Sequence, residues 1–268
     1  MRAPLRWLRR NAVVLAGGLA LGYLLLPSLV VLAYAFNDPA GRFNHEWRGL
    51  SLDAWREPCA ADGLCAALGS SLRVAVPAAL LATAFGTLAA LALSRYRFRG
   101  RGLAHALLLL PMALPEVVMG ASLAALFLNA RTGFGYGTVL AAHIMFCLSF
   151  VVVAVKARLA GLDPHLEEAA RDLYAGPFQT FRRVTLPLAA PGIAAGAALS
   201  FTLSFDDVIV TQFTSGPATV TFPTYVWGAA QRGVPVQANV IGTVVPLAAV
   251  ALVAAARLAV TVRRRRNR

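Results

Sequence analysis

Long apolar runs alternate along the chain with short polar segments that carry arginine. A helix needs about 20 mostly apolar residues to cross the hydrocarbon core of a bilayer. Runs of that order fall near Ala12–Phe36, Ser71–Leu93, Leu103–Leu128, Tyr136–Val155, Leu188–Thr211 and Asn239–Val260. The third and fifth are less clean, because each contains proline or an acid, and Pro111 and Pro115 are expected to break or kink the third. The pattern predicts an all-α membrane protein with about six transmembrane helices and both chain ends on the same side.

Composition supports this reading. The chain is 58% hydrophobic and 14% charged, with a mean hydropathy of +0.65, against roughly 45–50% apolar and about 25% charged in soluble domains. A net charge of +13 would suit nucleic acid. The basic residues, however, stand in short clusters between apolar runs, as in cytoplasmic membrane loops, and nucleic-acid binding is set aside on that pattern. Arg2, Arg6, Arg9 and Arg10 precede the first run, and Arg95, Arg97, Arg99 and Arg101 join the second to the third. Lys156, Arg158, Arg171, Arg182 and Arg183 join the fourth to the fifth, and Arg257, Arg263 to Arg266 and Arg268 close the chain. All fall on one side of a six-span topology, which the positive-inside rule makes cytoplasmic. Both termini are then cytoplasmic, and the expected location is the inner membrane of a bacterium. A cleavable signal peptide ending at Ala33-Tyr34-Ala35 is the competing reading. The apolar run there is far longer than the roughly 7–15 residues of a signal h-region.

The outer face carries one substantial segment, Asn37–Gly69, polar and aromatic with Trp47 and Trp55. Cys59 and Cys65 both fall there, and spacing alone leaves open whether they are bridged. Cys147, in the fourth span, reads as a small packing residue. Gly18/Gly22 and Gly192/Gly196 have the small-xxx-small spacing that permits close helix approach. The expected organisation is a first helix with its outer segment (1–69), a five-helix core (70–256) and a basic tail (257–268).

The segment from Arg158 to Pro187 is the most informative. Asp163 followed by Pro164 reads as a capping acid and a proline at the first helical position. Leu166, Ala169, Ala170, Leu173 and Tyr174 recur with helical spacing along one apolar face. Glu167, Glu168, Arg171 and Asp172 take the other side, with Glu167 and Arg171 spaced for an i,i+4 pair. Gly176-Pro177 ends that helix and starts a second, on which Phe178, Phe181 and Thr185 share a face before Pro187 breaks it. A short helix–turn–helix is predicted. A surface helix on lipid headgroups is the plainer reading, but anionic lipid would repel the acids, so docking on another protein is preferred.

This loop resembles the EAA loop of type I ABC importer permeases. Glu168-Ala169-Ala170 matches its opening, and Val184-Thr185-Leu186-Pro187 its hydrophobic-x-Leu-Pro close, at the family's spacing. Tyr174 stands at the family's glycine position, with Gly176 two residues later to supply the turn. The resemblance covers roughly residues 70 to 256 and implies the type I ABC importer permease fold. It implies a loop that inserts into a cleft on an ATPase subunit and transmits its motion. Glu167, Glu168, Ala169, Ala170, Asp172, Tyr174, Gly176, Leu186 and Pro187 are then the coupling residues. The implied partners are a second permease subunit (a homologue or a second copy), two ATPase subunits and an extracytoplasmic substrate-binding protein.

The chain carries no nucleotide chemistry of its own. Its one lysine, Lys156, is followed by Ala157, so no G-x-x-x-x-G-K-[ST] loop exists, and ATP with Mg belongs to the partner ATPase. His105 and His143 read as packing or local hydrogen bonding. No catalytic residue, metal site or cofactor is expected, and the chain is read as a transporter subunit rather than an enzyme.

Ionisable residues inside a span are functional hypotheses by default. Glu116 follows Pro115 in the third, and Asp206-Asp207 end the fifth; with no basic partner nearby, these acids suggest a lining for a cation. The plainer readings are that Glu116 sits at a broken helix end, favoured by its dipole, and that the aspartates face water. Ser204-Phe-Asp-Asp-Val-Ile-Val-Thr, Ser215-Gly-Pro, Phe222-Pro-Thr-Tyr-Val-Trp227, Leu114–Val117 and Phe36-Asn37-Asp38 resemble the spermidine/putrescine permeases within the family. That resemblance implies a polyamine substrate, for which Tyr225 and Trp227 would offer cation–π faces. Thiamine, ferric iron or an opine-like compound are the alternatives within the class; an intramembrane enzyme or a channel would leave the helix–turn–helix unexplained.

Overall fold

The computed structural model describes the backbone of residues 3–163 and 165–266, with side chains for 11–163, 165–251, 254 and 255. The expected role of Pro164 lies outside the described residues, as do the side chains of the terminal arginine clusters. Among the described residues the regular structure is helical, which is how a segment in lipid satisfies its own backbone groups. One isolated antiparallel bridge, Asn37 with Leu50, is the exception among the described residues. In order the helices are α1 (Ala3–Tyr34), α2 (Asp53–Arg56), α3 (Leu64–Arg95), α4 (Arg101–Ala113), α5 (Glu116–Asn129) and α6 (Tyr136–Ala160). Then come α7 (His165–Asp172), α8 (Pro177–Thr180), a π-helical turn (Phe181–Thr185), α9 (Leu186–Asp206), α10 (Ile209–Thr214), α11 (Phe222–Ala230) and α12 (Val236–Arg266). They form two compact units, Met1–Cys65 with Gly228–Arg268, and Ala66–Trp227.

In the first unit α1 packs against α12, and the apolar stretch of α1 is otherwise exposed. Such a bare Leu/Val surface suits lipid or a partner helix, not water. Gly18 and Gly22 have no neighbour within 4 Å of an added Cβ, so their spacing is not used within this chain. The segment after α1 is irregular but held. Asn37 Nδ2 donates to Asn44 Oδ1 (2.6 Å) and the Glu46 carbonyl (2.7 Å), and its Oδ1 accepts from the Arg48 N–H at 2.9 Å. Phe36 stacks on Trp55 with centroids 5.0 Å apart, over a cluster of Ala35, Ala54, Val236 and Val240. Cys59 and Cys65 are bridged, with Cα atoms 5.4 Å apart, which settles what their spacing left open.

The second unit is built on α6, whose buried residues include Val139, Ala142, His143, Cys147, Val151, Val152 and Val155. It packs chiefly on α9 and also on α4 and α10. Gly192 and Gly196 of α9 face it directly. A Cβ on Gly196 would lie 3.3 Å from Val151 Cα, and one on Gly192 3.3 Å from the Ala154 carbonyl oxygen. Here the small-xxx-small spacing brings two backbones together.

Four helices are long and apolar enough to cross a membrane: Asn11–Tyr34, Leu64–Arg95, Tyr136–Ala160 and Pro177–Asp206. Helices α4 and α5 make a fifth only as a pair bent by 112°, and the apolar part of α12, Val236–Ala251, is shorter. Six clear spans are therefore not what the described residues show. The bend has one cause. Leu114 is extended (φ −85°, ψ 140°), as the residue before a proline prefers, so Pro115 ends α4, whereas Pro111 lies within it. Pro187 likewise fails to break its helix: Pro177–Asp206 runs on as one element. The π-helical turn just before Pro187 widens the ladder where the ring removes an N–H and crowds the preceding turn. The expected second short helix is the continuation of the fifth span.

Candidate functional site

The connection between α6 and α9 forms one face of the second unit. Asp163 Oδ1 accepts from the His165 N–H at 3.0 Å and caps α7, as the sequence predicts. The end of α7 is closed by two hydrogen bonds: Tyr174 N–H to the Arg171 carbonyl (2.8 Å) and Ala175 N–H to the Ala170 carbonyl (3.0 Å). This is the Schellman arrangement, which places one residue in the left-handed region. That residue is Tyr174, with φ +62°. The glycine position of the motif thus keeps its glycine conformation, and Gly176 does not replace it: its φ of −65° is ordinary.

The two glutamates face opposite ways. Glu168 is 64% exposed and bonds His165 at 3.0 Å, a contact that, with Asp163, raises the imidazole above its ordinary pKa. Glu167 is only 17% exposed. Its partner is Arg95 at the end of α3, bound through both guanidinium nitrogens, and not Arg171 as the i,i+4 spacing suggested. Thr185 Oγ1 donates to Glu167 (2.6 Å) and accepts from Arg95 (3.4 Å). A long-range, bidentate partner with a third hydrogen bond outweighs an exposed helix pair, worth roughly 0.3–0.5 kcal/mol. At the other root, Arg158 Nε donates to the Leu188 carbonyl at 2.8 Å. The loop is tied to α3, α6 and α9, while Leu166, Leu173, Tyr174 and Phe178 remain exposed. Ala169, Asp172, Leu186 and Pro187 are exposed as well, and Ala170 and Gly176 are half-buried. Anchored charge on one side and bare apolar surface on the other is the form of a docking element.

The intramembrane acids have unlike surroundings. Glu116 is exposed and is the first residue of α5, where the helix dipole favours an acid. Asp206 is exposed at the end of α9. Asp207 is turned inward with a side chain only 7% exposed. Its carboxylate accepts from the Val210 N–H (3.3 Å) and from the Thr211 N–H and hydroxyl (2.7 Å each), capping α10. His143 of α6, fully buried, lies 3.4 Å from that carboxylate through Nε2 and bonds Thr211 Oγ1 (3.0 Å) and Ser204 Oγ (2.7 Å). The expectation that the acids lack a basic partner is therefore wrong for Asp207. Local pattern could not have revealed it, because His143 arrives from a different span. Helices α5 and α10 pack on each other, so Glu116 begins a helix that adjoins the one Asp207 caps. Tyr225 is half-buried and Trp227 exposed on α11. Two positions on a helix are about 200° apart, so these two rings do not form one aromatic wall. Among the described residues no group of three or more His, Cys, Asp or Glu could hold a metal ion.

Two substitutions test these geometries. Tyr174→Gly removes a left-handed strain of about 1 kcal/mol, so the Tyr174 and Ala175 amides should exchange hydrogen about fivefold more slowly; faster exchange would contradict the αL assignment. Asp207→Ala removes the α10 cap and leaves the Thr211 hydroxyl without its carboxylate acceptor, at a cost of roughly 1–3 kcal/mol. It should lower the thermal midpoint of the solubilised protein, and an unchanged midpoint would contradict the network.

Comparison with known proteins gives the family. Residues 82–266 match the family described as binding-protein-dependent transport system inner membrane component. The chain is 39% identical over 236 residues, covering 88% of it and 89% of the relative, to the spermidine/putrescine transport system permease protein PotC of Escherichia coli (strain K12). The putrescine transport system permease protein PotI of the same strain is 36% identical over 238 residues, covering 86% and 84%. A sulfate transport system permease protein, CysT of Salmonella typhimurium, is 40% identical over 166 residues, covering 56% and 59%. Among solved structures, a bacterial ABC transporter involved in the import of the acidic polysaccharide alginate has a chain that aligns with a TM-score of 0.66. That chain is 17% identical, with 97% of this chain and 98% of that one covered. A chain of the MetNI methionine ABC transporter gives 0.60 at 16% identity, covering 73% and 92%. The helical core and these matches concur: the chain belongs to the binding-protein-dependent transport system inner membrane components, as a permease subunit of an ABC importer with the type I all-α fold.

Proposed function

We propose that this permease translocates a polyamine of the spermidine/putrescine kind. The reading is carried by similarity to the PotC permease along 88% of the chain. It is supported by exposed carboxylates at Glu116 and Asp206, which suit a flexible polycation better than an anion. In this reading Asp206 and Glu116 meet the substrate, Asp207 positions α10, and Tyr225 and Trp227 offer separate aromatic faces rather than a cage. A second permease subunit, two ATPase subunits and an extracytoplasmic binding protein complete the importer. The α7 surface around Glu168, with Ala169, Ala170, Asp172, Tyr174, Gly176, Leu186 and Pro187, seats in the ATPase, and Glu167 positions it through Arg95. Both termini and the 158–187 loop lie in the cytoplasm by arginine placement. The bent α4–α5 pair and α12 bring the spans to six. The working division remains a first helix with its outer segment (1–69), a permease core (70–256) and a basic tail (257–268).

A second reading, an anion importer, has the shorter sulfate-permease match in its favour, and the exposed acids against it. Uptake separates them. Cells lacking their own polyamine transporters, expressing this chain with its operon neighbours, should concentrate labelled putrescine or spermidine and not sulfate. Asp206→Asn should cut the uptake rate at least tenfold while leaving the complex assembled, and Glu168→Lys should abolish concentrative uptake. Sulfate uptake, or polyamine uptake indifferent to both variants, would overturn the assignment.

A further inference from the structure

Arg101 at the start of α4, His105 one turn later and Lys156 near the end of α6 converge, with Leu93 of α3 and Gly102, on a cavity of about 220 Å³. None of these residues belongs to the docking loop or to the acids assigned above. Basic residues at the ends of membrane helices ordinarily splay toward water or headgroups; here three point into a common space. No carboxylate is among the lining residues. The nearby ion pair of Arg95 is already taken by Glu167. Among the described residues the Lys156 ammonium is partnered by His105 Nε2 at 2.6 Å, an imidazole that accepts a hydrogen bond without neutralising the charge. A half-buried ammonium with no acid in its pocket, beside an exposed guanidinium, calls for an anion from outside the chain. Gly102 leaves the space open, since an added Cβ there meets nothing within 4 Å.

We propose that this pocket binds a phosphate group, supplied by the headgroup of an anionic phospholipid such as phosphatidylglycerol. Arg101 offers a planar two-pronged donor and Lys156 a point charge with free hydrogens, the pair of chemistries that phosphate oxygens accept. Leu93 gives the apolar wall that an adjoining acyl or glycerol group requires. Basic pockets between transmembrane helices at the cytoplasmic boundary bind such headgroups by the same physics. The leaflet follows from the orientation proposed above; the pocket itself does not depend on it, nor on the polyamine assignment.

The test uses the assembled importer, purified in neutral detergent so that both faces are accessible, with bound lipid read by native mass spectrometry. Phosphatidylglycerol should be retained and phosphatidylcholine not. Arg101→Gln and Lys156→Gln should each weaken retention at least tenfold. Gly102→Glu keeps all three bases and places a carboxylate in the open space, so it should displace the lipid with the complex intact. Inorganic phosphate that protects the pocket as tightly as the lipid would uphold the phosphate site and assign it a soluble occupant. Equal retention of both lipids, or phosphatidylglycerol retention unchanged in all three variants, would overturn the proposal. Because uptake is not the readout, failure here leaves the transport assignment standing, and the reverse.

Discussion

Gly192 and Gly196, one helical turn apart, let α9 lie directly on α6, and the second unit is organised around that contact. Lipid tails are as apolar as leucine, so burying apolar area gives helices in a bilayer little reason to associate. Close backbone approach, with its dispersion energy and its space for polar contacts, has to supply the attraction. Both features are present. Val151 and Ala154 of α6 fill the surface left by the glycines, Cys147 Sγ reaches the Ser200 carbonyl at 3.4 Å, and Arg158 reaches the Leu188 carbonyl. Gly86 of α3 meets the same Val151, so a third helix keys into the pair.

The loop proposed to dock on the ATPase is spliced between these two helices, which gives its position mechanical meaning. Its roots are the end of α6 and the π-helical turn that runs into α9, and the Arg95–Glu167–Thr185 triangle ties it to α3. At the far end of the same pair, His143 of α6 and Ser204 of α9 join Asp207 and Thr211 at the start of α10. A push on the exposed face of α7 thus has a packed route to the acids at the end of α9. Transmission along this route requires that α6 and α9 move as one body.

Much of this was legible in the sequence, for reasons that can be named. Helix type and order follow from run length and the need to satisfy backbone groups in lipid, and the EAA-like spacing marked the loop before any packing was known. The Asp163 cap is a local signal, set by the residues beside it. What stayed hidden depended on contacts between distant segments. Arg95 looked like one of a cluster of cytoplasmic arginines, and its partner Glu167 had a plausible decoy in Arg171. His143 read as a packing residue, and nothing local joined it to Asp207. The prolines show a subtler limit: Pro115 breaks its helix while Pro111, Pro187 and Pro191 do not. The outcome depends on whether neighbouring backbone can widen or re-pair, which is a property of the packed bundle.

Rigid movement of α6 with α9 is the claim on which this coupling account stands, and it has a direct test. A Cβ built on Gly196 lies 3.6 Å from the Ala154 Cβ, within the range of roughly 3.5–4.5 Å that a disulfide spans. Proteoliposomes carrying Ala154→Cys/Gly196→Cys would be assayed for ATP-driven uptake after oxidation and again after reduction, with the unsubstituted importer put through the same cycle. Measurable uptake that is equal in the two states is the result predicted, because cross-linking a pair that already moves together removes no motion. Uptake lost on oxidation and restored by reduction would mean that the helices slide past each other, and would contradict the account.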